Sequence, residues 1–279
     1  HTWVFQKPPA VVEGVRPDTW MGLNDAMIEA FVARYGAMLN EYDGFVITHT
    51  PLFCRLFESF QKPIVLVNSC RYDQPYCFPR FAGTAFAREG RAALNACLQR
   101  LAADGRLVAI SNNRADQDYL RLGAGIASLH VPSLCLYPGV VHDPVVAAER
   151  PITIACTHRD CIPAGLPLAP KPPSPYAWDD LMQRRALVVI PYEVSTMSMF
   201  EWYSSGVPLF FPSKAFYRSL ILANKAVMAS FNSDNYDTRH LPETTAVDWW
   251  LDRCDFYDPE WMPGIHYFDS WDDLAAMLN

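Results

Sequence analysis

Short apolar runs bounded by turn residues recur along this chain and alternate with longer segments whose apolar positions return every three or four residues. The first pattern reads as buried strands, the second as amphipathic helices. Trp3-Val4-Phe5 is predicted to be a short first strand, followed by a proline-bearing loop over residues 8–18. Helical spacing covers residues 24–39, and a buried strand over residues 44–48 runs into His49-Thr50-Pro51. Residues 51–60 read as a helix stopped by Lys62-Pro63. The clearest strand of this half, residues 64–68, empties into Ser69-Cys70-Arg71-Tyr72-Asp73-Gln74-Pro75-Tyr76. An alanine-rich helix over 84–103, a strand over 107–110 and a helix over 116–122 follow.

After a crossover at residues 131–139 the alternation resumes with a strand at 152–155 and a proline-rich stretch, 163–175, expected to be an exposed loop. Residues 186–190 form an apolar strand that meets a Ser/Thr cluster able to cap a short helix. That helix ends at Gly206, before a second apolar strand, so the segment is a βαβ unit. A helix over 214–228, a polar loop over 232–237, a helical segment at Trp249-Trp250, a strand over 265–268 and a helix from Trp271 complete the pattern. Alternating strands and helices imply parallel sheets, whose ligands gather at the carboxyl ends of the strands. A chain of 279 residues suits two such domains, 1–134 and 135–279, with the final helix able to pack back on the first.

Charge narrows the partners. A net charge of −7 with no basic block argues against nucleic acid. No apolar run approaches the roughly 18 residues needed to span a bilayer, so the reading is a soluble protein with no transmembrane segment. The eight cysteines contain no Cys-x-x-Cys pair and read as reduced, mostly buried thiols of a reducing compartment, the cytoplasm. No metal site is expected. The segment from Cys156 to Cys161 lacks a partner cluster, and Asp116-Gln117-Asp118 opens a helix, where acidic residues favour the dipole. A nicotinamide-linked epimerase or dehydrogenase would need Gly-x-Gly-x-x-Gly after the first strand, where this chain has Gln6-Lys7-Pro8-Pro9.

The candidate chemistry centres on the βαβ unit. Glu193 lies in the turn and Glu201 about two turns into the helix, both able to approach a ligand over its N-terminus, where phosphates bind well. Ser195, Thr196 and Ser198 can donate to phosphate, Glu201 can hold a ribose diol, and Tyr192 or Pro191 can wall a base. Plain N-capping is the simpler account of the serines, and a loop carboxylate plus an exposed helix residue that of the glutamates.

Glu-x7-Glu followed by Gly206-Val207-Pro208 resembles the donor-binding segment of GT-B glycosyltransferases. Residues 42–51, 62–75, 111–113 and 191–196 together look like the glycosyltransferases of large DNA viruses of algae, the chlorovirus β-xylosyltransferases in particular. The resemblance implies a GT-B fold, two Rossmann-like parallel-sheet domains facing a central cleft. The N-terminal domain would bind the acceptor and the C-terminal domain the nucleotide sugar. It further implies a UDP-sugar donor, UDP-xylose first, a glycan or glycoprotein acceptor such as fucose of a capsid N-glycan, no required cofactor or metal, and inversion at the anomeric carbon. Glu-x7-Glu is more usual in retaining enzymes, which leaves retention with another nucleotide sugar open. A non-catalytic nucleotide- or carbohydrate-binding protein of the same fold is the alternative of another class.

Inverting transfer needs a base for the acceptor hydroxyl and positive or hydrogen-bonding groups for the leaving diphosphate. Asp73, following the strongest strand, is the first choice of base and should face the cleft; the alternative is a pair with Arg71 or a turn cap. His49 is the second choice, against a histidine merely bonded to backbone. Arg71 and Arg159 are phosphate candidates, with His158 beside the latter. Thr50, Arg71, Tyr72 and Tyr76 would line the acceptor side, the aromatics stacking on sugar faces.

Overall fold

The computed structural model describes residues 19–48, 50–156, 162–173, 175–232 and 235–278. The predicted first strand at residues 3–5 lies outside them. The chain divides into two compact units, one comprising the residues up to Ser111 with Asp116–Leu129, the other Asn112–Ala115 with His130–Asn279. Each is an α/β unit built on its own parallel sheet.

In the first unit the strands are β1 (Phe45–Ile47), β2 (Ile64–Asn68), β3 (Leu107–Ser111) and β4 (Leu129–His130), in the order β1-β2-β3-β4. Ile64, Leu66 and Asn68 of β2 are buried and the residues between them half-buried, as expected for a strand covered on both faces. The helices are α1 (Asp25–Leu39), α2 (Cys54–Phe57), α3 (Ala85–Ala103) and α4 (Arg114–Ala124). Asn24 caps α1 by accepting from the Met27 N–H at 3.0 Å, and Thr84 caps α3 by accepting from the Ala87 N–H at 3.2 Å. The expected single helix over 51–60 is instead broken into 3-10 turns on either side of α2 and ends at Gln61 in the left-handed region, φ 53°. Aromatic packing accounts for the break, because Phe57 and Phe60 both turn onto Phe45 of β1, with ring centroids 4.4 and 5.6 Å away.

The second unit contains β5 (Thr153–Cys156), β6 (Ala169–Pro170), β7 (Leu187–Ile190), β8 (Leu209–Pro212) and β9 (His266–Phe268). Its helices are α5 (Pro144–Ala147), α6 (Trp178–Met182), α7 (Met197–Ser205), α8 (Lys214–Leu222), α9 (Ala229–Asn232), α10 (Val247–Leu251) and α11 (Trp271–Leu278). The strand order is β6-β5-β7-β8-β9, so the chain steps outward from β5 to β6 and then crosses back to the far side of β5. That reversal is a topological switch point, and it lies between β5 and β7. All four residues of β7 are buried, the mark of a central parallel strand.

Two expectations are corrected here. The proline-rich stretch is not wholly loop, since Ala169 and Pro170 pair with Thr153 and Ile154 as an edge strand, the position in a sheet that tolerates proline. The helix expected over 214–228 stops at Leu222, where Asn224 takes φ 55° and turns the chain. Among the described residues no helix is long and apolar enough to cross a membrane.

Candidate functional site

The carboxyl edge of the second sheet is built by local chemistry that can be followed residue by residue. As β7 ends, the Pro191 carbonyl accepts from the Tyr217 hydroxyl at 2.6 Å, and the Tyr192 carbonyl accepts from the Ala229 N–H at 2.8 Å. Glu193 then turns inward. Its carboxylate accepts from the Val194 N–H at 2.7 Å and from the Ser230 hydroxyl at 2.7 and 2.8 Å. Thr196 is the N-cap of α7, accepting from the Met199 N–H at 3.4 Å, and Gly206 closes the helix at φ 81°, a conformation an L side chain rarely adopts.

Between these features lies a cavity of about 140 Å³. Ala155 and Cys156 of β5, Val189 and Ile190 of β7, Pro191 and Tyr192 beyond it, and Thr196, Ser198, Met199 and Trp202 around the first turns of α7 form its wall together with Lys171. The cavity therefore occupies the switch point between β5 and β7, where open α/β sheets take their ligands. Among the described residues its charged lining is one lysine and no carboxylate. The Lys171 ammonium sits 4.8 Å from the Tyr176 ring centroid and 5.7 Å from that of Trp202, within cation–π range of both. The Thr196 hydroxyl oxygen accepts from the helix and keeps its proton for a ligand, and Ser198 adds a second hydroxyl. Such a site is suited to an anion with several acceptor oxygens.

Of the donor-side residues picked out in the sequence, Tyr192, Thr196 and Ser198 are brought together here, and Ser195 is half-buried beside them without lining the cavity. The two glutamates are not in the wall. Glu193 and Glu201 are each 8% exposed, the first held by Ser230 and the second accepting from the Tyr137 hydroxyl. That bond to Glu201 pushes the Tyr137 phenol up to about 12. The expectation that both carboxylates reach a ligand is thus corrected: internal donors have claimed them. His158 and Arg159 lie outside the described residues, as does His49. Sequence reasoning missed Lys171 and Trp202. A signal for Lys171 existed, since it is the one cation of the proline-rich stretch, set between Pro170 and Pro172.

The acceptor-side residues have a different fate. Asp73 has no exposed surface; its carboxylate pairs with the Arg91 guanidinium at 2.8 Å and accepts from the Tyr119 hydroxyl at 3.4 Å. Arg71 pairs not with Asp73 but with Asp116 at 2.7 Å, both side chains almost fully buried. Tyr72 and Tyr76 are core residues rather than stacking platforms. Each lies against a helical glycine: a Cβ on Gly90 would fall 2.1 Å from the Tyr76 ring, and one on Gly123 2.4 Å from the Tyr72 hydroxyl. Thr50 is buried too, donating to the Gln74 carbonyl at 3.0 Å. An acceptor cannot reach a carboxylate sealed in this way, so the placement of Asp73 at an open cleft is corrected.

Among the described residues no cluster of three or more His, Cys, Asp or Glu side chains is arranged to hold a metal ion. Cys54, Cys77, Cys97 and Cys254 are buried thiols, and burial pushes that of Cys54 up to about 12. No protein-family model, curated protein or solved structure matches the chain.

Proposed function

We propose that the chain is a GT-B-type glycosyltransferase that takes its sugar from a nucleotide diphosphate bound at the β5/β7 switch point. The observation that carries this reading is the cavity itself, a pocket at the N-terminus of α7 whose charged lining, among the described residues, is a lysine and no carboxylate. Its size fits a part of the donor. About 140 Å³ is half or less of the roughly 300 Å³ at which ligand pockets begin, so it would seat the diphosphate while the nucleoside lies over exposed Tyr192 and Met197. The resemblance described above supplies the remainder: UDP-xylose as donor, a glycan hydroxyl as acceptor, and an inverting displacement needing no metal. In that step the acceptor oxygen bonds to the anomeric carbon as the bond to the diphosphate oxygen breaks. A base takes the hydroxyl proton, and the pocket's donors stabilise the charge left on the diphosphate. With Asp73 buried, the base falls to His49.

The same burial favours a second reading, a nucleotide- or carbohydrate-binding protein without turnover. A thermal-shift panel of UDP-xylose, UDP-glucose, UDP-galactose, GDP-fucose and GDP-mannose tests both. A donor at a hundred times its Kd stabilises the fold by about 2.7 kcal/mol, a shift of several degrees. UDP-xylose is expected to give the largest shift, and transfer to a fucosylated acceptor should then release UDP. Stabilisation without release with any acceptor would favour the binder; no stabilisation by any nucleotide sugar would remove both.

A further inference from the structure

We infer that Lys171 is the residue that recognises the diphosphate of the bound nucleotide, held ready by the two rings it rests on. This rests on the nucleotide-binding reading above and adds to it a residue that the glutamate pattern does not contain. The backbone fixes where the lysine stands. β6 ends at Pro170 in parallel register with Ile154 of β5, so Lys171 leaves the sheet at the same edge as Cys156 and Ile190. Proline on either side restricts the path of the chain there. The ammonium then lies over Tyr176 and Trp202, and Trp202 is itself part of the cavity wall.

Two further observations point to a ligand. No carboxylate within salt-bridge distance neutralises Lys171 among the described residues, whereas Lys214, Arg71 and Arg91 of the same chain each have one. The indole Nε1 of Trp202, a residue 5% exposed, has no hydrogen-bond partner among the described residues. A buried donor without an acceptor is costly and uncommon in a completed structure. Ring faces attract an ammonium without discharging it, so the lysine keeps its full charge for an incoming anion. A diphosphate supplies more charge and more oxygens than the cavity's other donors, Thr196 and Ser198, can meet alone.

Isothermal titration of the full chain with UDP, pyrophosphate and uridine, repeated for Lys171→Met and Lys171→Arg, tests the inference. Loss of the charge should weaken UDP and pyrophosphate about 10- to 100-fold, leave uridine within twofold, and be largely restored by arginine. Unchanged uridine binding also reports that the Met variant is folded. If wild type binds UDP and Lys171→Met binds it equally well, the role of the lysine is overturned while the nucleotide reading stands. If wild type binds pyrophosphate through Lys171 but no nucleotide, the lysine's role stands and the donor reading fails. Absence of binding by all three probes overturns both.

Discussion

The two units share an architecture and treat the polar residues at their strand ends in opposite ways. In the first, Arg71, Asp73, Arg91 and Asp116 close on one another as buried ion pairs beneath Tyr72, Tyr76 and Tyr119. In the second, the same sheet edge carries a cavity lined, among the described residues, by a lysine and no carboxylate. The order of the described strands differs in the same sense. The described strands of the first unit run β1-β2-β3-β4 in a single direction, so successive connections follow one another across the sheet. In the second unit the connections leaving β5 and β7 go to opposite sides, toward β6 and β8, and a crevice is left between them. Equally polar strand ends thus become buried ion pairs in one unit and the wall of a cavity in the other.

The largest effect should come from opening a sealed pair. Asp73→Ala leaves Arg91 and the Tyr119 hydroxyl without their buried anion, at a cost of about 3 kcal/mol, the lower end for a broken buried pair because Arg91 keeps a solvent edge. Urea unfolding measures it. Unchanged stability with abolished transfer would return Asp73 to the role of base and break the comparison.

Next comes Gly90→Ala. A glycine inside α3 ordinarily costs about 1 kcal/mol relative to alanine, so the substitution would stabilise an unobstructed helix. Here the new methyl would collide with the Tyr76 ring, and overpacking of about 1–3 kcal/mol should win. A rise in melting temperature would mean that Tyr76 is mobile enough to serve an acceptor.

The last residue of β4 carries a pH signature. The His130 side chain is 10% exposed, and burial, reinforced by Arg114, lowers its pKa below the ordinary 6.5. The unfolded chain therefore binds this proton more readily than the folded one. Stability is full above about pH 6.5 and is lost as pH falls through the folded value. His130→Phe should flatten that part of the pH–stability curve, measured by denaturant midpoints between pH 7 and 5. An unaltered slope would exclude His130 as its source.

The smallest effect separates a structural Glu201 from a ligand-binding one. Tyr137→Phe removes the hydroxyl that bonds Glu201 and should cost about 1 kcal/mol or less, because Tyr137 is largely exposed. UDP affinity should not change. A tighter complex in the variant would mean that the tyrosine competes with ribose for the carboxylate.

Much of this was legible in the residues alone. Period and punctuation give the strands at 64–68 and 187–190, the Ser/Thr cap before α7 and the glycine stop at 206, because each depends on neighbours within one turn. The Ser/Thr turn before α7 was equally visible, and it does border the cavity. What the sequence could not supply was pairing over distance. Asp73 meets Arg91 rather than Arg71, Arg71 meets Asp116, and Ser230 and Tyr137 take the two glutamates. Strand order likewise decides that Lys171, in a stretch that reads as loop, stands over the ring of Trp202, 31 positions along the chain. Local pattern records which face of a segment avoids water, and that is a property of the segment. Whether a charge is neutralised or left for a ligand depends on which distant segment arrives beside it, and only the folded sheet fixes that.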